Sequence, residues 1–551
     1  MTQDHNDLDR TLHAAWSRLV GGMSPAAQML AWSDWAIHFA TQPGRSTGVA
    51  LRRLPPPGQL SAHDPRLGAD DWASWPFGMY REAFETTGRR LLDLLHGVPG
   101  VDRHHEQLVS FMARQWLEMV SPANTLATNP QVLQKTATTG GANLLRGGVH
   151  WLEDLGRGAL GQPPVGAEAF RPGHEVAVTP GKVILRNGLI ELIQYAPTTP
   201  TVYAEPVLVV SAWIMKYYVL DLSPHNSLIR YLVDRGHTVF AISWKNPDAS
   251  DAQLGMTDYL QLGIRASLDA IETVLPERRV HALGYCLGGT LMAIAAAAMA
   301  RDRDDRLASL TLLAAQTDFT EPGDISLFID ESQLAFLEDV MSQQGFLNAA
   351  QMAAAFQALR AGELLWTPMV RNYLLGERIP MTDLMAWNAD GTRMPYRMHA
   401  DYLRSLFLEN SLAEGHYLVD EKPVSLNDID TPVFLLGTRT DHVAPWRSVY
   451  KFNLLCDADV SFVLTSGGHN AGILSEPGHA HRSHRVLHRK RNSAYVSPDD
   501  FLEVSTEVEG SWWPGFQHWL TSHSGPRRRP PAMGGRLPLL CDAPGTYVMA
   551  R

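Results

Sequence analysis

The stretch Gly284-Tyr-Cys-Leu-Gly-Gly289 decides the fold, because it joins two contrasting segments. The preceding Val280-His-Ala-Leu has the length and apolar character of a buried strand, and the alanine-rich residues 290–301 favour a helix. A cysteine between the two occupies a tight turn, which flanking glycines permit. The amides at the start of the helix would stabilise a thiolate or an oxyanion. The pattern predicts a reactive Cys286, and a buried cysteine in a glycine-rich turn is the alternative.

Short apolar runs alternate with helical patterns from about residue 176 onward. Val183-Ile-Leu and Leu189-Ile-Glu-Leu-Ile-Gln-Tyr predict a hairpin. Further apolar runs predict buried strands near residues 206–210, 238–242, 280–283, 310–315, 432–437 and 461–464. Strand, helix and strand in this rhythm indicate a mostly parallel sheet with crossover helices, which is an α/β fold. After the last of these strands we expect a loop, a tryptophan-rich helix and an irregular tail.

The chain divides by its texture into a helical part and an α/β part. Residues 1–175 show helical periodicity, for example at residues 12–19, which predicts a mostly helical N-terminal domain. Residues 176–551 form the predicted catalytic domain. Within it, residues 316–430 separate two predicted strands by more than a simple loop, and their helical pattern predicts an inserted cap. We expect the cap to cover Cys286 and to keep water from it.

Two later strands end in loops that carry an acid and a histidine. Asp441 follows one predicted strand, and His469 follows the next strand and two glycines. In α/β-hydrolase folds the nucleophile, the acid and the histidine come in this order, each after a strand. The order therefore predicts a Cys286, Asp441 and His469 triad in such a fold. An aspartate that only forms a turn is the alternative for Asp441, and the adjacent His442 is a second candidate base that would normally point elsewhere.

A site of this kind also needs donors for a developing negative charge. The backbone amide of Leu287, directly after the nucleophile, is one candidate. The other donor usually comes from the loop after an earlier strand, here Ser211-Ala-Trp-Ile-Met-Lys216, so the amides near Trp213 and Ile214 are candidates. Simple packing of this loop is the alternative.

The composition excludes several classes of protein. A hydrophobic fraction of 45% with 19% charged residues indicates a folded globular chain. The net charge of −11 argues against a nucleic-acid binder. Three widely spaced cysteines suggest neither disulfides nor a metal site, and His479, His481 and His484 fit a solvated loop. No apolar run is long enough for a transmembrane segment, and we expect a cytoplasmic location.

A cysteine nucleophile favours a particular chemistry. A thiolate attacks thioesters readily, and the resulting acyl-cysteine keeps a high transfer potential, so it can pass its acyl group to an alcohol. A serine enzyme would tend to form a more stable ester that water then cleaves. We therefore expect acyl transfer from a thioester carrier at Cys286.

Several segments outside the triad resemble the poly(3-hydroxyalkanoate) synthase family, from about residue 70 to the C-terminus. These segments are Ser121-Pro-Ala-Asn-Thr-Leu-Ala-Thr-Asn-Pro, Asp221-Leu-Ser-Pro-His-Asn-Ser-Leu, Trp387-Asn-Ala-Asp-Gly-Thr, Asp441-His-Val-Ala-Pro-Trp and Ala543-Pro-Gly-Thr-Tyr-Val. The Gly-x-Cys-x-Gly-Gly and Asp-His-x-x-Pro-Trp elements together make the likeness specific.

The resemblance implies a function and roles for the triad. The enzyme would polymerise a 3-hydroxyacyl-CoA, above all short-chain 3-hydroxybutyryl-CoA, into a polyester with release of CoA. Cys286 would carry the growing chain, His469 would activate the thiol, and Asp441 would orient the histidine or activate the incoming 3-hydroxyl. Family members need no metal or redox cofactor, form homodimers and work on the surface of polymer granules in the cytoplasm. The single long chain resembles the one-subunit classes.

The chain departs from the family pattern at two places. The family often has Pro-Pro-Trp-Ile-Asn-Lys where this chain has Ser211-Ala-Trp-Ile-Met-Lys216, and its histidine is commonly followed by Ile, where this chain has Asn470. These departures bear on substrate range and turnover more than on reaction type. Two rival functions are a hydrolase with the same triad, such as a thioesterase or polyester depolymerase, and a catalytically silent granule-coat protein. The large N-terminal region and the cap argue against the first, and the intact triad argues against the second.

Overall fold

The computed structural model describes residues 23–51 and 64–551, so the helical run predicted at residues 12–19 lies outside the described residues. The chain divides into two compact units. The first comprises the described residues up to Val165 together with Asp330–Val340 and Ala350–Met381, and the second comprises Gly166–Ile329, Met341–Ala349 and Thr382–Arg551. Segments of the predicted cap therefore occur in both units.

The second unit is built around one eleven-stranded sheet. Its strands are β1 (Gly181–Arg186), β2 (Ile190–Tyr195), β3 (Val207–Val210), β4 (Val239–Trp244), β5 (Val280–Tyr285), β6 (Leu307–Leu313), β7 (Val433–Thr438), β8 (Val460–Thr465), β9 (Ser483–Arg489), β10 (Glu507–Glu509) and β11 (Cys541–Asp542). They lie in the order β10-β9-β8-β7-β6-β5-β3-β4-β2-β1-β11. The central strands β8, β7, β6, β5, β3 and β4 are parallel, and the strands outside them are antiparallel.

The apolar runs of the sequence fall on the strands that lie inside the sheet. The predicted hairpin is β1 and β2, and the predicted buried strands are β3 to β8, each buried along its whole length. Parallel strands are covered on both faces by crossover helices, and this burial is why their sequences are continuously apolar. The predicted α/β fold with a mostly parallel sheet is confirmed. The carboxyl ends of β3, β5, β7 and β8 meet at one edge of this sheet, because these strands are parallel.

The loop and the irregular tail expected after β8 are wrong in part, because this region contributes β9, β10 and β11. Ser483-His-Arg-Val-Leu-His-Arg is too polar to signal a strand, yet it pairs along its length with β8, and His484 lies in this strand rather than in a loop. The short β11 pairs with β1. The chain beyond it is held by buried Glu191, whose carboxylate accepts the amides of Thr546 (2.8 Å) and Tyr547 (3.0 Å).

Helices of the second unit pack on its sheet, and helices form most of the first unit. N-terminal to the sheet are α1 (Pro25–Ala40), α2 (Pro43–Leu51), α3 (Phe77–Leu95), α4 (Arg103–Met119), α5 (Pro130–Thr138) and α6 (Ala142–Ala159). The later helices are α7 (Leu228–Val233), α8 (Ala266–Val274), α9 (Leu287–Asp302), α10 (Glu331–Gln344), α11 (Ala349–Leu359), α12 (Asp383–Ala389), α13 (Tyr396–Tyr402), α14 (Trp446–Tyr450), α15 (Phe452–Leu455), α16 (Pro498–Val504) and α17 (Trp513–Ser522). Over residues 23–51 and 64–551, every helix is too short or too polar to cross a membrane.

Helix α6 has polar residues on the side that packs and several large apolar residues on the side that faces solvent. Within the first unit, Asn143 donates to the Leu374 carbonyl (2.7 Å), and Arg378 donates to Asp154 (2.8 Å). A Cβ atom at Gly147 would lie 1.8 Å from the Tyr373 carbonyl oxygen, so the helix backbone packs closely against residues 373–374. The exposed apolar side chains of the helix are Leu145, Val149, Trp151, Leu152 and Leu155. The usual orientation of an amphipathic helix is thus reversed.

Because three of its histidines are buried, we expect the second unit to lose stability in mild acid. Burial lowers the pKa of His237 and of His399 to about 4 and that of His281 to about 3. These rings are neutral in the folded chain but take up protons in the unfolded chain below about pH 6.5. The contribution of each neutral histidine to the free energy of unfolding is fully present above that pH. It is lost as the pH falls towards 4, by about 1.4 kcal/mol for each histidine and each pH unit.

One buried carboxyl group opposes this loss in part. Burial raises the pKa of Asp221 to about 6, so the folded chain gains one proton there as the pH falls below 6. We therefore expect urea denaturation to give a free energy of unfolding that falls between pH 7 and pH 5, with a slope equivalent to one to two protons. A stability that stays level over this range would contradict the prediction.

Candidate active site

Cys286 lies in a strained turn between β5 and α9. Its backbone angles, φ 53° and ψ −126°, are rarely adopted by residues other than glycine. Its amide donates to the Leu313 carbonyl on β6 (2.9 Å), and its carbonyl accepts the amides of Gly289 (2.8 Å) and Thr290 (3.2 Å). These bonds place the partly buried cysteine at the carboxyl edge of the sheet, directly before a helix N-terminus.

The glycines of the turn are needed because backbone segments approach each other closely. A Cβ atom at Gly284 would lie 2.4 Å from the Cα of Gly289, and one at Gly289 would lie 2.4 Å from the Ala315 Cβ. A Cβ atom at Gly288 would lie 2.2 Å from the Val210 carbonyl oxygen at the end of β3. The start of α9 therefore rests against the point where the predicted oxyanion loop begins.

Replacing Gly288 by alanine should displace the first turn of α9 from β3. Because a shift of about 1 Å in a reacting group costs on the order of 100-fold in rate, we expect the single-turnover acylation rate of Gly288→Ala to fall at least that much. Gly148→Ala is the matched control, since a Cβ atom there meets nothing within 4 Å and alanine favours the helix. Equal acylation rates in the two variants would show that the close contact is not required.

Asp441 lies in the loop after β7, and its carboxylate is fully engaged. One oxygen accepts the amides of Val443 and Ala444, both at 2.9 Å, and the other accepts the Thr438 hydroxyl at 2.7 Å and the Nδ1 of His469 at 2.8 Å. The side chain has no exposed area. Burial alone would raise the pKa of Asp441, but His469 and the hydrogen bonds outweigh burial and lower it. The group therefore stays an anion that faces the histidine.

His469 lies in the loop after β8 and joins the acid to the nucleophile. Its Nδ1 bonds to Asp441, and the ring lies close enough to Cys286 for the thiol to influence the pKa of His469. Burial would lower the pKa of His469, but Asp441 and Cys286 overcome this and raise it well above the usual value. The structure thus brings together the three residues of the predicted triad, in a form that favours a protonated imidazole beside the cysteine sulfur.

The predicted oxyanion loop is fixed by side chains that donate to its carbonyl groups. The Trp244 indole donates to the Ser211 carbonyl (2.8 Å), and the Thr392 hydroxyl donates to the Trp213 carbonyl (3.1 Å). These bonds engage the carbonyl groups of the loop and do not use its amides, so the amide of Ile214 stays a candidate donor to the oxyanion. The roles of Leu287 and Ile214 stay predictions.

Residues 387–392 support this loop, and sequence reasoning did not assign them that role. The Trp387 indole donates to the Lys216 carbonyl (2.8 Å), and Met215 forms an antiparallel bridge with Gly391. These residues belong to Trp387-Asn-Ala-Asp-Gly-Thr, one of the segments that carry the family resemblance. Only the family resemblance could have pointed to this segment, because the loop residues that it contacts are about 170 positions away in the sequence.

The structure also places His442, a tyrosine of the predicted cap and the histidine-rich loop. The backbone carbonyl of His442 accepts the amide of Asp324 (3.2 Å). Near the nucleophile, Tyr402 from the predicted cap segment lies close enough for Cys286 to raise its pKa further, although burial is the larger cause. Among the described residues there is no cluster of His, Cys, Asp and Glu that could hold a metal ion, and His479 bonds to Glu476 (2.9 Å).

Comparison with protein families gives three matches. A family model described as the N-terminus of poly-beta-hydroxybutyrate polymerase matches residues 63–232, and a second model, the poly-beta-hydroxybutyrate polymerase N terminal, matches residues 3–45. The model of the alpha/beta hydrolase fold matches residues 205–475, a range that contains Cys286 and His469. The last match agrees with the sheet described above.

Individual proteins show the same likeness over most of the chain. A poly(3-hydroxyalkanoate) polymerase of Methylorubrum extorquens is 40% identical over 519 residues, which are 93% of this chain and 84% of that protein. A poly(3-hydroxyalkanoate) polymerase subunit of Cupriavidus necator is 36% identical, over 89% of this chain and 83% of that protein. Among solved structures, the monoacylglycerol lipase of Paleococcus ferrophilus is 13% identical with a TM-score of 0.35, over 61% of this chain and 99% of that protein.

Proposed function

Because the chain belongs to the poly(3-hydroxyalkanoate) polymerase family, and so is an acyltransferase of polyester synthesis, we propose that it polymerises short-chain 3-hydroxyacyl-CoA, above all 3-hydroxybutyryl-CoA, through an acyl-cysteine. The observation that carries this proposal is a cysteine in a strained turn beside a histidine that is bonded to a buried carboxylate. The two matches to poly-beta-hydroxybutyrate polymerase models support the four-carbon unit.

The first step loads the enzyme. The Cys286 thiolate attacks the thioester carbonyl of the substrate, and the negative charge passes to the carbonyl oxygen. The amides predicted at Leu287 and Ile214 would stabilise this oxyanion. The carbon–sulfur bond to CoA then breaks, and the imidazolium of His469 gives its proton to the departing CoA thiolate. The raised pKa of His469 supports this role, because Asp441 and Cys286 favour the protonated ring.

The second step transfers the acyl group to an alcohol. Neutral His469 takes the proton of a 3-hydroxyl group, and the resulting alkoxide attacks the acyl-cysteine. An ester bond forms, the bond to the Cys286 sulfur breaks, and the thiolate and imidazolium return. Asp441 acts through His469 in this proposal, because its carboxylate has no exposed area and four donors already engage it. The chain needs no metal or redox cofactor for either step.

One assay tests the proposal against its rival. The purified protein is incubated with 3-hydroxybutyryl-CoA, and free thiol and insoluble polyester are measured together. We expect both to appear, with polyester units in nearly equal number to the thiols released. Thiol release with soluble 3-hydroxybutyrate and without polymer would instead identify a hydrolase, and no thiol release would reject both functions.

The setting of the reaction is also proposed from the family resemblance. We propose that the chain works as a homodimer on the surface of polymer granules in the cytoplasm. Light scattering should give twice the mass of one chain, and sedimentation after polymer formation should carry the protein into the polymer pellet. A monomer that stays in the supernatant would contradict both statements.

A further inference from the structure

Two residues that adjoin the triad in sequence are bonded to each other. Tyr285 directly precedes the nucleophile and Asn470 directly follows the base, and the Tyr285 hydroxyl donates to the Asn470 side-chain oxygen. The Tyr285 ring also lies beside the His469 ring, with centroids 5.5 Å apart and planes at 32°. The hydrogen bond therefore links the strand that carries the nucleophile to the loop that carries the base.

The two ends of this link are held by independent parts of the second unit. Tyr285 ends β5, is almost fully buried, and pairs in register with Leu313 on β6. On the other side, the Asn470 carbonyl accepts the amides of Ile473 (3.1 Å) and Leu474 (3.0 Å), which closes a turn after the histidine.

Two tryptophans of the C-terminal helix region secure that turn. The Trp512 indole donates to the Gly472 carbonyl, and the Trp513 indole donates to the Ile473 carbonyl, both at 3.0 Å. Both tryptophans are fully buried. The turn is anchored at its far end by these indoles, and the bond from Tyr285 anchors its near end, next to His469.

We propose that Tyr285 and Asn470 form a positioning pair that holds the His469 ring towards the sulfur of Cys286. The bond to Asp441 fixes only one nitrogen of the ring, so the ring could still tilt about that contact. The adjacent Tyr285 ring and the tethered Asn470 restrict this tilt.

A double-mutant cycle tests the pair, and it rests on the proposed function for its main readout. Tyr285→Phe and Asn470→Leu each leave one polar group without its partner, so we expect each to slow single-turnover CoA release about 5- to 10-fold with little change in KM. The double variant removes the same hydrogen bond, so it should be about as slow as either single variant. Single variants that react at the wild-type rate, a double variant that regains that rate, or a double variant as slow as the product of the two effects would overturn the proposal.

A second readout separates this proposal from the proposed function. The rate at which iodoacetamide alkylates Cys286, followed by mass spectrometry across pH 5 to 9, depends on the histidine beside the thiol and needs no substrate. We expect the single variants to shift this pH profile and the double variant to shift it by about the same amount. If the profile shifts in a protein that releases no CoA, the proposed function fails and the pair stands. Unshifted profiles in both single variants would overturn the pair, even if urea denaturation shows that they are less stable.

Discussion

Replacing Cys286 by alanine is expected to lower the rate of CoA release from 3-hydroxybutyryl-CoA by roughly 10⁴- to 10⁶-fold, as for the loss of other triad nucleophiles. The proposed acyl-enzyme cannot form without the sulfur, and the neighbouring amides and histidine have no other nucleophile to activate. The measurement is thiol release over hours at high enzyme concentration, together with a mass spectrum of the protein. The wild-type protein should gain the mass of an acyl group, and the variant should not.

Cys456→Ala is the matched control for this prediction. Its thiol is 2% exposed, it lies 3.6 Å from the Ile429 carbonyl, and burial raises its pKa to about 11, so it is a weak nucleophile at neutral pH. We expect this variant to keep the catalytic rate of the wild type. A Cys286→Ala protein that retains more than about 1% of the activity would show that another residue attacks the thioester.

Replacing His469 by glutamine should slow the acylation of Cys286 itself by about 10³-fold or more, because the thiol then loses its base and CoA loses its proton donor. Single-turnover release of CoA isolates this step from polymer growth. The loss should be smaller at high pH than at neutral pH, since hydroxide can then generate the thiolate without the imidazole.

His442→Gln is the control for the base. Its effect should stay below about 10-fold, because the hydrogen bond to the Asp441 side chain comes from His469. The assignment of the triad would be wrong if acylation were normal in His469→Gln and lost in His442→Gln.

The parts of the fold that the sequence predicts are those with strong local signals. The turn around Cys286 was predictable because the glycines that its backbone contacts require are themselves visible in the sequence. The parallel strands were predictable because burial on both faces demands a continuous apolar run. The order of Asp441 and His469 then followed from the fold, and the structure brings both to the cysteine.

The remaining features depend on contacts between distant residues. No local pattern reports that Thr546 and Tyr547 bind Glu191 and hold the last strand at the sheet edge. The polar sequence of β9 gives no strand signal, because its side chains stay partly exposed along the strand. The bond between Tyr285 and Asn470 was likewise hidden, since it joins residues that are 185 positions apart in the sequence.

The face of a helix that packs is usually also its apolar face, but in α6 these are two different faces. Leu145 and Leu152 contribute little to the packing of the first unit, because their side chains are 77% and 62% exposed, while polar Asn143 and Asp154 hold the helix in place. Stability alone would therefore permit hydrophilic residues along the outer face, and solubility would favour them. The apolar character of that face therefore lowers the solubility of the isolated chain and is not needed to pack the first unit.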